Sequence, residues 1–150
     1  MEWYPYLKLI HVLCAIVALG ANLTYPLWQL RAERSPEQLP FTLRSIYALD
    51  TYVANPAYVL GLLTGVGMAW LADYDFGMRW LSGALGLFAL IGILGFGFYT
   101  PGLRRQIAAL EAGGLTSPAY QRIARRQNAI GGVLGVLVLV IVFLMIVKPV

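Results

Sequence analysis

Charge is what this chain has least of. Asp, Glu, Lys and Arg make up 12% of its 150 residues, against about 25% in soluble domains. Hydrophobic residues make up 59%. A domain this short has too much surface to hide so much apolar side chain from water, which excludes a soluble globular fold. Cysteine is nearly absent too. A single Cys excludes an intrachain disulfide and a Cys-based zinc site. That residue, Cys14, lies inside an apolar run. A thiol in hydrocarbon resists ionisation, so Cys14 reads as a small packing residue rather than a nucleophile. Also missing are a Gly-rich phosphate loop, HExxH, CxxC and GxSxG. Gly95-Phe96-Gly97 has GxG spacing but sits in an apolar run. No apolar run holds paired carboxylates. Nucleotide-dependent, hydrolytic and zinc chemistries are therefore not expected, and a non-enzymatic role is. The net charge of +4 sits almost wholly in connecting segments. That favours loops lying on anionic lipid headgroups over a nucleic-acid face.

What the chain does have is four long apolar runs, at about residues 6–29, 52–71, 80–99 and 129–147. A helix rising about 1.5 Å per residue crosses the roughly 30 Å hydrocarbon core with about 20 residues. Only helices and closed barrels satisfy their backbone there, and these runs lack the alternation of barrel strands. The expected fold is an all-α membrane protein, a four-transmembrane-helix bundle forming one integral membrane domain, with a basic amphipathic segment between helices 3 and 4. Cleavage of the first run as a signal peptide is not expected. MEWYPY has an acid and no base, and the apolar run continues past Ala18-Leu19-Gly20.

The first run is the most patterned. Lys8, His11, Ala15, Ala18, Asn22, Tyr25 and Gln29 recur at steps of three and four, on one helix face. Leu9, Val12, Leu13, Ile16, Leu19, Leu23 and Leu27 form the other. In lipid the apolar face looks outward and the small and polar face packs on other helices. Trp3, Tyr4 and Tyr6 stand where an interfacial aromatic belt would lie. Ser35-Pro36-Glu37-Gln38 has the form of a helix start. Gly61 and Gly65 form a GxxxG that lets two backbones approach. Pro101 is expected to break or kink the chain after the third run. Leu103, Ile107 and Leu110 then share one face of a short amphipathic helix ended by Gly113-Gly114. Ser117-Pro118 reads as N-cap and first residue of the last helix. The aliphatic VLVLVIVFLMIV reads as largely lipid-facing, and Lys148 as a snorkelling anchor.

Eight arginines lie in the first and third links, while Lys8, Arg79 and Lys148 lie on the other side. The positive-inside rule places both long links in the cytosol and both termini outside, in the inner membrane. Arg104, Arg105, Arg122, Arg125 and Arg126 are candidate headgroup contacts. Membrane lipids are thus expected partners, alongside a second copy of the chain or another membrane protein.

His11 is the sharpest candidate residue, because an ionisable group inside a membrane helix suggests function. Three roles suit it: a packing residue bonded to a neighbour, a haem or other redox ligand, or a proton or metal relay. Its helical phase directs it inward, and Met68 approaches similar depth from the second run as a candidate second axial ligand. Asn22, Tyr25, Asp50 and Asn55 form a second candidate cluster, where the first helix ends and the second begins. Interhelical hydrogen bonding and a transport site are its two readings.

The YLKLIHVLCAIVALGAN opening and NPAYVLGLLTGVGMAW, with the four spans, resemble a family of small bacterial integral membrane proteins catalogued as domain of unknown function 2269. The shared motifs are a Lys-x-x-His in helix 1, a Leu-Thr-Gly in helix 2 and a basic third link. The resemblance implies a membrane location and this fold, and no particular activity. A weaker likeness is to four-helix haem-binding membrane proteins, among them the protoporphyrinogen oxidase type with a His in its first helix. That type also relies on a Lys in its third helix. Trp80 to Tyr99 has none, so that activity is not carried over. A non-enzymatic membrane module or accessory subunit and a haem b protein using His11 stand as the two readings. A small transporter comes third, since the broken helices and coupling carboxylates of one are not evident.

Overall fold

All four apolar runs become helices, and each helix is longer than its run. A computed structural model describes residues 2–149. Its helices are α1 (Tyr4–Glu33), α2 (Leu39–Leu71), α3 (Arg79–Gly113) and α4 (Pro118–Val147), each long and apolar enough to span a membrane. No strand occurs among the described residues. At 30 to 35 residues they measure about 45–52 Å, well beyond the roughly 30 Å of hydrocarbon. The excess lies at the end that carries the arginine-rich links. The amphipathic segment expected as a separate short helix is therefore the extension of the third span, continuous with it in α3.

Pro101, expected to break or kink the chain, is absorbed instead, and so is Pro56. A proline removes an N–H from the helical ladder and crowds the preceding turn. In α2 a π-turn over Asp50–Ala54 precedes Asn55-Pro56, and in α3 a π-turn over Gly95–Tyr99 precedes Thr100-Pro101. Each wider turn is closed by an i+5 bond, Asn55 N–H to the Asp50 carbonyl and Thr100 N–H to the Gly95 carbonyl. The helix passes each proline without ending. The start expected at Ser35-Pro36 also moves: residues 35–38 form a turn, and Pro40 occupies the first turn of α2. The Ser117 cap forms as expected, its hydroxyl accepting from Tyr120 N–H at 3.2 Å. Gly114, at φ 74°, ends α3, its N–H bonding the Leu110 carbonyl.

Around the bundle, α2 packs on α1, α1 on α4, and α4 on α3. The ring is unevenly closed. Leu39–Leu49 of α2 packs on Thr100–Gly113 of α3, but Asn55–Leu71 and Arg79–Leu94 hardly meet. At the arginine end Ala32, Leu39, Leu43, Leu110, Tyr120 and Ala124 form a buried cluster. In mid-bundle Tyr25, Ile46, Ile91, Tyr99, Leu103 and Leu134 belong to another. Between α1 and α2 the third cluster is small: Cys14, Ala18 and Ala57. Here the GxxxG brings the backbones close, since a Cβ on Gly61 would touch that of Cys14 at 3.6 Å.

Candidate functional site

The termini end of the bundle is hollow. A cavity of about 590 Å³ lies there, with walls from all four helices. That falls within the roughly 300–1,000 Å³ range of ligand pockets. His11, Lys8, Met68 and Met145 are among its lining residues, and the rest are largely aliphatic and aromatic.

His11 is held rather than loose. Its ring lies against Gly65, where a Cβ would come within 2.9 Å of Cε1. Nδ1 is 2.8 Å from the Gly61 carbonyl oxygen and 3.3 Å from Thr64 Oγ1. A carbonyl can only accept, and the Thr64 hydroxyl already donates to the Leu60 carbonyl at 2.7 Å. Nδ1 must therefore carry the hydrogen. In the neutral ring this leaves Nε2 as a free lone pair on a residue that lines the cavity. A metal-binding His is oriented in the same way, by a backbone carbonyl on its other nitrogen.

The cavity mouth carries cations and aromatic rings. Lys148 Nζ is 3.1 Å from the Tyr74 hydroxyl, 4.9 Å from the Tyr74 ring centre and 5.0 Å from that of Trp80. Tyr74 and Trp80 meet edge to face at 5.5 Å. Lys148 therefore folds onto an aromatic pair at the mouth, a cation–π contact. Lys8 is exposed and lines the same cavity.

Met68 lines the cavity as expected, and so does Met145, which sequence reasoning passed over. Met145 lies in an aliphatic run without a polar face, so no pattern singled it out. No group of three or more His, Cys, Asp or Glu residues suited to a metal ion occurs among the described residues.

The second candidate cluster divides in two. Asp50, only 4% exposed, accepts from Thr100 Oγ1 at 2.6 Å and from Asn55 Nδ2 at 3.4 Å, both through Oδ2. Asn55 Nδ2 also reaches Thr100 Oγ1 at 3.2 Å. Asn22 bonds elsewhere, to the Tyr58 hydroxyl and the Ala18 carbonyl, each at 3.0 Å. The buried Tyr25 hydroxyl has no partner among the described residues. Thr100 was hidden in sequence by the proline after it, which read as a break. Arg104, Arg105, Arg122, Arg125 and Arg126 are all exposed on the extension at the arginine end.

The chain belongs to the DUF2269 family, described as predicted integral membrane proteins, which it matches over residues 5–149. No curated protein and no solved structure matches it.

Proposed function

Starting from that family membership, we propose that this integral membrane protein is a non-enzymatic module that houses an amphipathic ligand, with haem b as the ligand its donors suit best. One observation carries this reading: the Gly61 carbonyl takes the Nδ1 hydrogen of His11 and leaves Nε2 free on a cavity-lining residue. A proximal His is the commonest haem anchor, and a Met is an established second ligand. Met68 and Met145 are the thioethers available in this cavity. The apolar walls suit a macrocycle, and Lys8 and Lys148 suit acidic substituents held at the mouth. Bound there, haem would supply one-electron redox chemistry, while the chain orients it and limits water.

Topology belongs to the same reading. The arginine end faces the cytosol of a cell whose inner membrane the protein spans, by the positive-inside rule. Arg104, Arg105, Arg122, Arg125 and Arg126 there meet anionic headgroups, each contributing about 1 kcal/mol near the surface. Reporter fusions in the 34–38 link should behave as cytosolic, and those at the C-terminus should not.

The ligand reading is tested by the visible absorption spectrum of the gently solubilised protein. A Soret band near one haem per chain, lost in a well-folded His11→Ala variant, is expected. Protein that shows no such band even after incubation with haemin would leave His11 a packing residue.

A further inference from the structure

Away from the His11 cavity, the ends of the two π-turns are linked through one carboxyl group. Each turn is followed directly by a polar residue and a proline, Asn55-Pro56 in α2 and Thr100-Pro101 in α3. Both polar side chains point at Asp50, the first residue of the first π-turn. Asp50 is 4% exposed. Among the described residues it has no Lys, Arg or His partner, the one ion pair being Arg44–Glu111 at the surface. An isolated buried carboxylate is costly, and it persists only when something neutralises it. Its Oδ1 takes no hydrogen bond from any described residue. Asp50, Asn22, Asn55 and Tyr58 also line a second cavity of about 190 Å³, which is otherwise mostly apolar. Next to this knot, the hydroxyls of Thr51 and Tyr25 are buried without partners. Tyr25 is only 2% exposed and packs in the same cluster as Ile46 and Tyr99.

We infer that Asp50, Asn55 and Thr100 form a binding site for a small monovalent cation, sodium in the first instance. The donor chemistry fits. A carboxylate supplies one negative charge, a hydroxyl supplies an oxygen, and the Asn55 amide supplies another once its oxygen and nitrogen exchange places. Hard cations take oxygen ligands; calcium wants about six to eight of them and magnesium keeps several waters, whereas one carboxylate among neutral oxygens in a small, mostly apolar cavity suits a single positive charge. Irregular helix turns at membrane depth are where ion sites are built, because interrupted ladders bring polar groups inside without exposing them to lipid. π-turns are frequent at functional sites for the same reason. The cation bridges α2 and α3 at the level where their close packing gives way to the gap between their membrane halves. The site does not depend on what fills the His11 cavity.

The test is direct binding of radioactive sodium to the full-length protein in detergent, with thermal unfolding followed in sodium, potassium or a bulky organic cation at constant ionic strength. Saturable binding of about one sodium per chain is expected, with a melting temperature that rises with sodium. Asp50→Asn keeps the shape and removes the charge, and it should abolish both effects. Thr100→Val should weaken sodium about tenfold, the equivalent of one lost ligand contact, and it serves as the second variant should Asp50→Asn fail to fold. Equal melting in sodium and the organic cation, with no sodium bound, would overturn the proposal and leave Asp50 a protonated structural group. A sodium effect that survives in Asp50→Asn or is unchanged in Thr100→Val would overturn it as well.

Discussion

The two ends of this bundle are built by different rules. At the arginine end Leu39 and Leu43 are fully buried, and Tyr120 nearly so. Charged residues cover the outside there, and α2 and α3 pack together. At the termini end the same two helices hardly meet, and a cavity of about 590 Å³ occupies the middle. Water explains the first end. Apolar faces meeting water are driven together, at about 25 cal/mol per Å² removed from it. Lipid explains the second. With lipid outside, burying a leucine against another helix gains little, so association relies on small residues and polar contacts. The α1–α2 contact uses those: Cys14, Ala18, Ala57, Gly61 and the His11 bond. Where such contacts are missing, between Asn55–Leu71 and Arg79–Leu94, nothing pulls the helices shut. A cavity can therefore persist in the membrane half of a chain too short to hold one in water.

Substitutions can break or sharpen this contrast. The largest expected effect is at the solid end. Leu43→Ala, at a residue 0% exposed, should cost about 2–5 kcal/mol as a cavity opens. Leu85→Ala, in the wall of the existing cavity, should cost less than half as much. Denaturant titration in mixed micelles compares them, and equal losses would erase the distinction. Next comes Gly65→Ala. Its Cβ would stand 2.9 Å from His11 Cε1, so the ring must leave the Gly61 carbonyl, at about 1–3 kcal/mol for overpacking. Ligand binding should fall with it, which the haem band reads. Gly86→Ala should act in the opposite direction. Beyond its own helix turn, no atom lies within 4 Å of its added Cβ, and glycine's lost freedom in a helix makes the alanine more stable by about 0.4–1 kcal/mol. A loss of stability would show that the space there is already filled. Smallest is Arg44→Ala. Its partner Glu111 is exposed, as it is, and such pairs contribute about 0–1 kcal/mol.

The fold was legible in the sequence because lipid imposes a crude rule: four apolar runs, four helices. The inward face of α1 was legible for the same reason. Leu9, Leu13, Leu23 and Leu27 are exposed, while Ala18, Tyr25 and Gln29 are buried; Leu19, expected on the outer face, is instead half-buried against the core, and Ala15, expected inward, is exposed. His11 lies on that inward face, one wall of the cavity. What could not be read is where a local rule met a tertiary one. Pro56 and Pro101 ordinarily weaken a helix, yet π-turns carry both helices past them. Thr100, Met145 and Gln127 went unmarked because their partners lie on distant segments. Gln127, 3% exposed, donates to the Tyr99 carbonyl at 2.9 Å across two helices, and nothing in its neighbouring sequence signals that. Asp50 and Asn55 do meet, but the third member of their group comes from a helix one loop away.

The most direct test of the hollow end is whether haemin stabilises the protein through His11. Denaturant unfolding is measured for the wild type and for His11→Ala, with and without haemin at a concentration set from the wild-type affinity. At 100 times the dissociation constant a bound ligand adds about 2.7 kcal/mol to the folded state. The wild type should gain that amount, and His11→Ala should gain none. An equal gain in both proteins, or no gain in the wild type, would contradict the assignment of His11 and its cavity to such a ligand.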